Sequence, residues 1–215
     1  MSSQFQLMGE RRFRPFFFTQ FLGAFNDNVF KTALITLVTF RAGQLTSLDG
    51  KTLATLLPGL FILPFFLFSA TSGQLADKFE KSMLARSVKL LEIAIMCLAA
   101  WGFMANSVWQ LVSALFLMGV HSTLFGPVKY SYLPQHLQQD ELIGGNGMIE
   151  MGTFVAILVG EIAGAWLATS SFGPALTSVV VIGVAIAGYW VSRGIPLSPP
   201  SDPSLVINWN PLTET

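Results

Sequence analysis

Residues 16–40 read FFFTQFLGAFNDNVFKTALITLVTF. The stretch is long and apolar enough to cross a bilayer, which takes about twenty residues at 1.5 Å rise. Yet Asn26, Asp27, Asn28 and Lys31 sit in its middle, where ionisable groups are costly and usually functional. At about 100° per residue, Gln20, Ala24, Asp27 and Lys31 fall on one narrow stripe of a helix, with Asn28 on its flank. That stripe must face protein or water, so further helices are needed to give it a cavity.

The composition agrees. The chain has 215 residues, 52% hydrophobic and 11% charged, with a mean hydropathy of +0.59; an average soluble domain is nearer 25% charged. This is the profile of a membrane protein. The formal net charge is zero, so no basic surface advertises nucleic acid as a partner. Cys97 is the single cysteine; it can form neither an internal disulfide nor a metal site alone, and it reads as lipid-facing or core packing. No metal or cofactor is expected.

Working outward, residues 1–15 hold Arg11, Arg12 and Arg14 and lack a cleavage site, so they read as a retained lead-in rather than a signal peptide. After a polar loop at residues 41–51, further spans are expected at about 52–76, 87–105, 109–133, 146–169 and 172–191, giving six transmembrane helices in a bundle over 16–192. Pro58, Pro64 and Gly126-Pro127 are tolerated there as kinks. Glu92, close to Lys89 and Arg86, is expected to snorkel to water. With the N-terminus inside, the cytoplasmic segments carry Arg11, Arg12, Arg14, Lys78, Lys81, Arg86, Lys89, Lys129 and Arg193, and the outside loops only Arg41 and Lys51. The Lys/Arg bias therefore places both termini in the cytoplasm. Residues 193–215, rich in proline, read as a cytoplasmic linker, with 206–209 a candidate for the membrane surface and the chain expected to continue beyond Thr215.

Between the second and third spans, GQLADKFEK at residues 73–81 resembles the signature loop of the major facilitator superfamily. The resemblance implies a cytoplasmic gate built on Gly73, Asp77, Lys78 and Lys81; where the family has a second glycine before the last basic residue, this sequence has Glu80. It also implies an all-α membrane protein, one half of a facilitator fold, made of two inverted three-helix repeats. The first and fourth spans would be counterparts, each interrupted near mid-membrane. QFLGAFNDNVFK (20–31), FGPVKYSYLPQ (125–135), NGMIEMGTFVAILVGEIAG (146–164) and the tail INWNPLTET (207–215) narrow the resemblance to bacterial lysophospholipid transporters of this superfamily, above all the version fused to an acyltransferase and an acyl-carrier-protein synthetase. By that resemblance Asp27 with Asn26 and Asn28, Lys129 and Glu150 match polar positions of the translocation path. The implied partners are membrane lipids, a lysophospholipid substrate, a second six-helix bundle beyond this chain and a fused acyltransferase, all in a bacterial inner membrane.

The chemistry suits such a cargo. A lysophosphatidylethanolamine head carries an anionic phosphate and a cationic amine, so its site needs fixed charges of both signs. Asp27 and Glu150 can accept the amine, Lys129 and Lys31 the phosphate, with Asn28 and Gln20 lining the site. Alternatively, Lys31 pairs with Asp27 four residues away. Glu150 and Glu161 lie three turns apart on one face, about 16 Å along the axis. Glu161, near mid-membrane, is either a proton-coupling group or hydrogen-bonded to a neighbouring helix, and His121 is open to the same two readings. Beside Glu161, Ala156, Gly160, Gly164 and Ala168 form a close-packing stripe. The opening phenylalanines read mostly as lipid contact and packing.

The sequence holds no nucleophile elbow, phosphate-cradling glycine loop, metal-ligand cluster or HxxxxD pair, so nothing supports soluble enzyme chemistry in this chain. Two rivals stay open: a proton-coupled facilitator for a small solute or drug, and a non-transporting module anchoring a fused acyltransferase.

Overall fold

The computed structural model describes residues 4–45 and 49–210, and within them every regular element is a helix. A short 3-10 turn, Gln4–Gly9, leads into six α-helices: α1 (Arg14–Leu45), α2 (Gly50–Lys78), α3 (Lys81–Met104), α4 (Val108–His136), α5 (Leu142–Thr169) and α6 (Gly173–Ser192). Helices α2 to α6 are long and apolar enough to cross a membrane. At 32 residues α1 has the length, but its polar middle lowers its hydropathy and it falls outside that set. Chain residues 211–215, the end of the INWNPLTET motif, lie outside the described residues.

Local chemistry sets the boundaries. The Asp49 carboxylate accepts the Thr52 N–H at 2.9 Å and caps α2, and Glu80 accepts from Ser82 N at 2.9 Å and Met83 N at 2.7 Å to cap α3, the usual way to satisfy orphan amides. Between α3 and α4, Asn106 adopts φ 50°, the left-handed turn that asparagine tolerates. The expected loop at 41–51 is shorter than the sequence suggested: α1 continues to Leu45 past a non-helical Arg41. Likewise α3 starts at Lys81, six residues before the expected 87, because the Glu80 cap opens the helix inside a charged stretch that hydropathy alone reads as loop.

The helices pack as α1 on α5 and α6, α2 on α4, and α3 on α4 and α6. Two apolar layers result. One gathers Val29, Phe30, Leu34, Ile95, Phe103, Leu111, Met118 and Val181; the other gathers Phe13, Phe16, Phe17, Val88, Phe125, Tyr132 and Ile149. Phe16 stacks on Tyr132 with centroids 4.3 Å apart, so the phenylalanine run is largely core: Phe16, Phe17 and Phe30 are buried and Phe18 is exposed. Large apolar side chains such as Phe66, Trp101, Phe154 and Trp166 point outward, as a lipid-facing surface requires. Cys97 is exposed among them.

The small-residue stripe of α5 is the seam with α1. A Cβ built on Gly160 would lie 2.7 Å from the Phe25 carbonyl, and one on Gly164 2.5 Å from that of Val29. Backbone cannot yield as a side chain tip can. Gly164→Ala is therefore expected to lower the thermal stability of the detergent-solubilised protein by about 1–3 kcal/mol, the usual cost of overpacking. Gly183→Ala, whose added Cβ meets nothing within 4 Å, is expected to be neutral or to raise it through helix propensity. Equal effects of the two substitutions would contradict the seam.

Candidate functional site

The interval between the two apolar layers is polar, and a cavity of about 700 Å³ opens from it. Helix α1 contributes Thr19, Gln20, Gly23, Ala24, Asp27, Asn28 and Lys31; α2 adds Phe61, Phe65 and Ser69; α3 adds Lys89; α4 adds residues from His121 to Tyr130; α5 adds Thr153 and Ile157. The stripe expected from helical spacing thus faces a shared cavity. Its wall is part aromatic and aliphatic, part charged.

The individual side chains are held as follows. Gln20 donates to Thr153 Oγ1 at 3.0 Å, bridging α1 and α5. Asp27 is buried and accepts a short hydrogen bond from the Ser122 hydroxyl. Lys31 does not pair with Asp27: its Nζ donates to Asn28 Oδ1 at 2.6 Å and approaches Glu161 Oε1 at 3.7 Å. Glu161 is therefore an ion-pair partner on the half-exposed side of α5 and is not among the cavity-lining residues. Lys129 lines the cavity and donates to Glu150 Oε1 at 2.5 Å, so the Gly126-Pro127 kink does not swing it away. Glu150 reaches the site through that pair rather than by lining it.

Asn26 departs from expectation. It turns away from the cavity, and its Nδ2 donates to Glu92 Oε1 at 2.7 Å and to the Val181 carbonyl of α6 at 3.1 Å. Nor does Glu92 snorkel. It is wholly buried, and Lys89, equally buried, donates to it at 2.5 Å. The longer α3 explains the error: with the helix starting at Lys81, Glu92 sits three turns inside, beyond the reach of its short side chain to water. Two glycines make room for the lysine, since a Cβ on Gly23 would lie 2.8 Å from Lys89 Nζ and one on Gly188 3.3 Å from it. His121 completes the layer, with Nε2 3.3 Å from Glu92 Oε2 and Nδ1 3.9 Å from Asp27 Oδ1. The Lys89–Glu92 pair was invisible in the sequence except as an i, i+3 pair inside an apolar helix, a spacing equally common on wet surfaces.

At the other end of the bundle, Gly73 lies within α2 with open space around it, so no close approach demands a glycine. Asp77 is exposed, and among the described residues no ion pair joins it to Lys81. Lys81 is buried and donates instead to the Pro199 carbonyl at 2.9 Å and Ser201 Oγ at 3.2 Å. Lys78 ends α2. The segment after α6 is irregular but docked: Glu80 accepts the Ser198 N–H at 2.7 Å, Asp77 O accepts from Asp202 N at 3.0 Å, and Gln74 exchanges two hydrogen bonds with the Asn208 backbone. Val206 and Trp209 stay exposed. Glu80 thus caps α3 and anchors this strap.

The family model of the Major Facilitator Superfamily matches residues 16–210. The chain belongs to the Major Facilitator Superfamily. It is 31% identical over 179 residues to "Lysophospholipid transporter LplT" of Klebsiella pneumoniae subsp. pneumoniae, covering 81% of this chain and 41% of that protein. It is 31% identical over 203 residues to the protein of the same name from Enterobacter sp. (strain 638), covering 91% of this chain and 46% of that one. With the Serratia proteamaculans protein it shares 28% over 201 residues, 91% of this chain and 45% of that one. The chain spans less than half the length of these relatives.

Away from the polar layer, a further ion pair ties the N-terminal lead-in to the α4–α5 turn. Arg12 donates two bonds of 2.7 Å to the Glu141 carboxylate and one of 2.8 Å to His136 O. The Arg12 guanidinium holds the Glu141 carboxyl below its ordinary range. Because that value is lowered on folding, the stabilisation is full above the unfolded value, about 4.3, and disappears as pH falls through the lowered one. Glu141→Gln should melt earlier than the unmutated protein at pH 7, and the gap should narrow as the pH falls below the ordinary carboxylate range; a gap that does not narrow would refute the pairing.

Proposed function

We propose that this chain is the N-terminal half of a lysophospholipid carrier in a bacterial inner membrane. In this reading α1 joins α2 to α6 as a sixth span and both termini face the cytoplasm. The observation that carries it is the cavity itself, where Asp27, Lys31 and Lys129 share one space with Phe61, Phe65, Phe125 and Ile157. A zwitterionic head and an acyl chain need that combination. Asp27 takes the amine and Lys129 the phosphate, with Gln20, Asn28 and Lys31 positioned alongside and Glu150 holding Lys129 until substrate arrives. The names of the relatives, all lysophospholipid transporters, support the same cargo.

The two-repeat architecture is supported by how the helices pair. Exchanging the first three helices for the last three turns α1·α5 into α4·α2 and α1·α6 into α4·α3, and both contacts of each pair occur. Transport would come from rocking of this bundle against a second one, consistent with relatives more than twice as long. The α2–α3 junction, with Asp77 and Lys78 at the end of α2 and Lys81 at the start of α3, would form part of the cytoplasmic gate, with Lys81 held by the strap after α6. An acyltransferase fused downstream would consume the imported lysolipid.

Uptake of lysophosphatidylethanolamine into spheroplasts by the full-length protein tests the site. Asp27→Ala and Lys129→Ala are each expected to lower uptake at least about tenfold, the loss of one charge-assisted contact, at unchanged protein level. Full uptake by both variants would refute the assigned head-group site.

A further inference from the structure

In the middle of the bundle each lysine has a glutamate: Lys31 with Glu161 at 3.7 Å, Lys89 with Glu92 at 2.5 Å and Lys129 with Glu150 at 2.5 Å. Asp27 is the acid left over. No lysine or arginine nitrogen among the described residues comes within ion-pair distance of it; its neighbours are the Ser122 hydroxyl on one oxygen and His121 Nδ1 at 3.9 Å from the other. His121 is 3% exposed, and its second nitrogen lies 3.3 Å from Glu92 Oε2. The ring is therefore held between two carboxylates, and neither nitrogen completes a hydrogen bond of good geometry.

A neutral imidazole carries one N–H and one lone pair. Between two carboxylates one of its faces would set a lone pair against an anion, whichever tautomer forms. Only the imidazolium offers an N–H to both sides, and it also gives Asp27 the compensating charge that Glu92, the other buried acid of this layer, already has from Lys89. The surrounding elements leave no rival for that role. From α1 the ring faces Asp27, from α3 Glu92 and its partner Lys89, and along α4 the nearest charged group is Lys129, committed to Glu150. The cavity residues of α2 and α5, Phe61, Phe65, Ser69, Thr153 and Ile157, do not titrate.

We infer that His121 carries a proton which the ammonium of a bound head group displaces from beside Asp27, so that binding of an amine-bearing lysolipid releases one proton into the cavity. The inference rests on the proposed lysolipid reading and goes beyond it by coupling that cargo to a proton. A second cation arriving at Asp27 takes over the compensation and repels the imidazolium in a low-dielectric site. His121 lines the cavity, so the released proton passes to cavity water. An anionic lysolipid without an amine offers no such replacement and leaves the proton in place. Binding and protonation are then linked: raising the pH favours the amine-bearing lipid, and adding that lipid favours loss of the proton.

The test is isothermal titration of the full-length protein in detergent, in two buffers of different ionisation enthalpy, with lysophosphatidylethanolamine and lysophosphatidylglycerol. One proton released per lysophosphatidylethanolamine and none per lysophosphatidylglycerol is the expected result, and this contrast needs no variant. His121→Gln should bind lysophosphatidylethanolamine with no proton release and with affinity flat in pH. Binding of lysophosphatidylethanolamine without proton release, or release undiminished in His121→Gln, overturns the inference while leaving the lysolipid reading intact. Failure of both lysolipids to bind the unmutated protein removes the lysolipid reading and the inference with it.

Discussion

The Lys89–Glu92 ion pair is the constraint on which the rest of the bundle depends. Two charges buried this deeply survive only if they satisfy each other and their remaining hydrogen-bonding capacity is filled. The structure fills it from the surrounding helices. Asn26 of α1 donates to Glu92 and also to α6, His121 of α4 closes on the same carboxylate, and Gly23 and Gly188 clear space for the lysine. Removing either charge leaves the other without its ion-pair partner at the centre of the bundle, where side chains or backbone of α1, α3, α4 and α6 converge on the pair.

That meeting determines the cavity. With Asn26 turned inward to Glu92, helical spacing sends Asp27 and Asn28 to the adjacent face and Lys31 one turn on, where α4 presents Ser122 and Lys129. The α1–α5 seam holds α1 at that rotation, because Gly160 and Gly164 admit its backbone at close range. One layer of polar contacts thus separates two apolar layers and supplies a site with charges of both signs beside aromatic walls.

Much of this was legible in the sequence, for physical reasons that differ by residue. The stripe of Gln20, Asp27 and Lys31 follows from the 3.6-residue period and the cost of charge in lipid, and the cavity lies where that stripe points. The small-residue stripe of α5 was equally plain. Asn26 was not, since it and Asp27, neighbours on one polar turn, look alike until the partner helices are placed; nor was the burial of Glu92, since the length of α3 hung on the Glu80 cap inside a charged stretch. The strap after α6 left no periodic signal at all; its partners, Gln74, Asp77, Glu80 and Lys81, are more than a hundred residues away in sequence. Family resemblance pointed to Lys129 and Glu150 as cavity groups but not to their pairing with each other, which only the packing of α4 near α5 reveals.

The most direct measurement is a double-mutant cycle on Lys89→Met and Glu92→Leu, following unfolding of the detergent-solubilised protein. If the pair organises the bundle, each single substitution costs about 3–5 kcal/mol by leaving a buried charge unpaired, and the double variant costs no more than either. Additive costs in the double variant, or single variants as stable as the unmutated protein, would contradict the account.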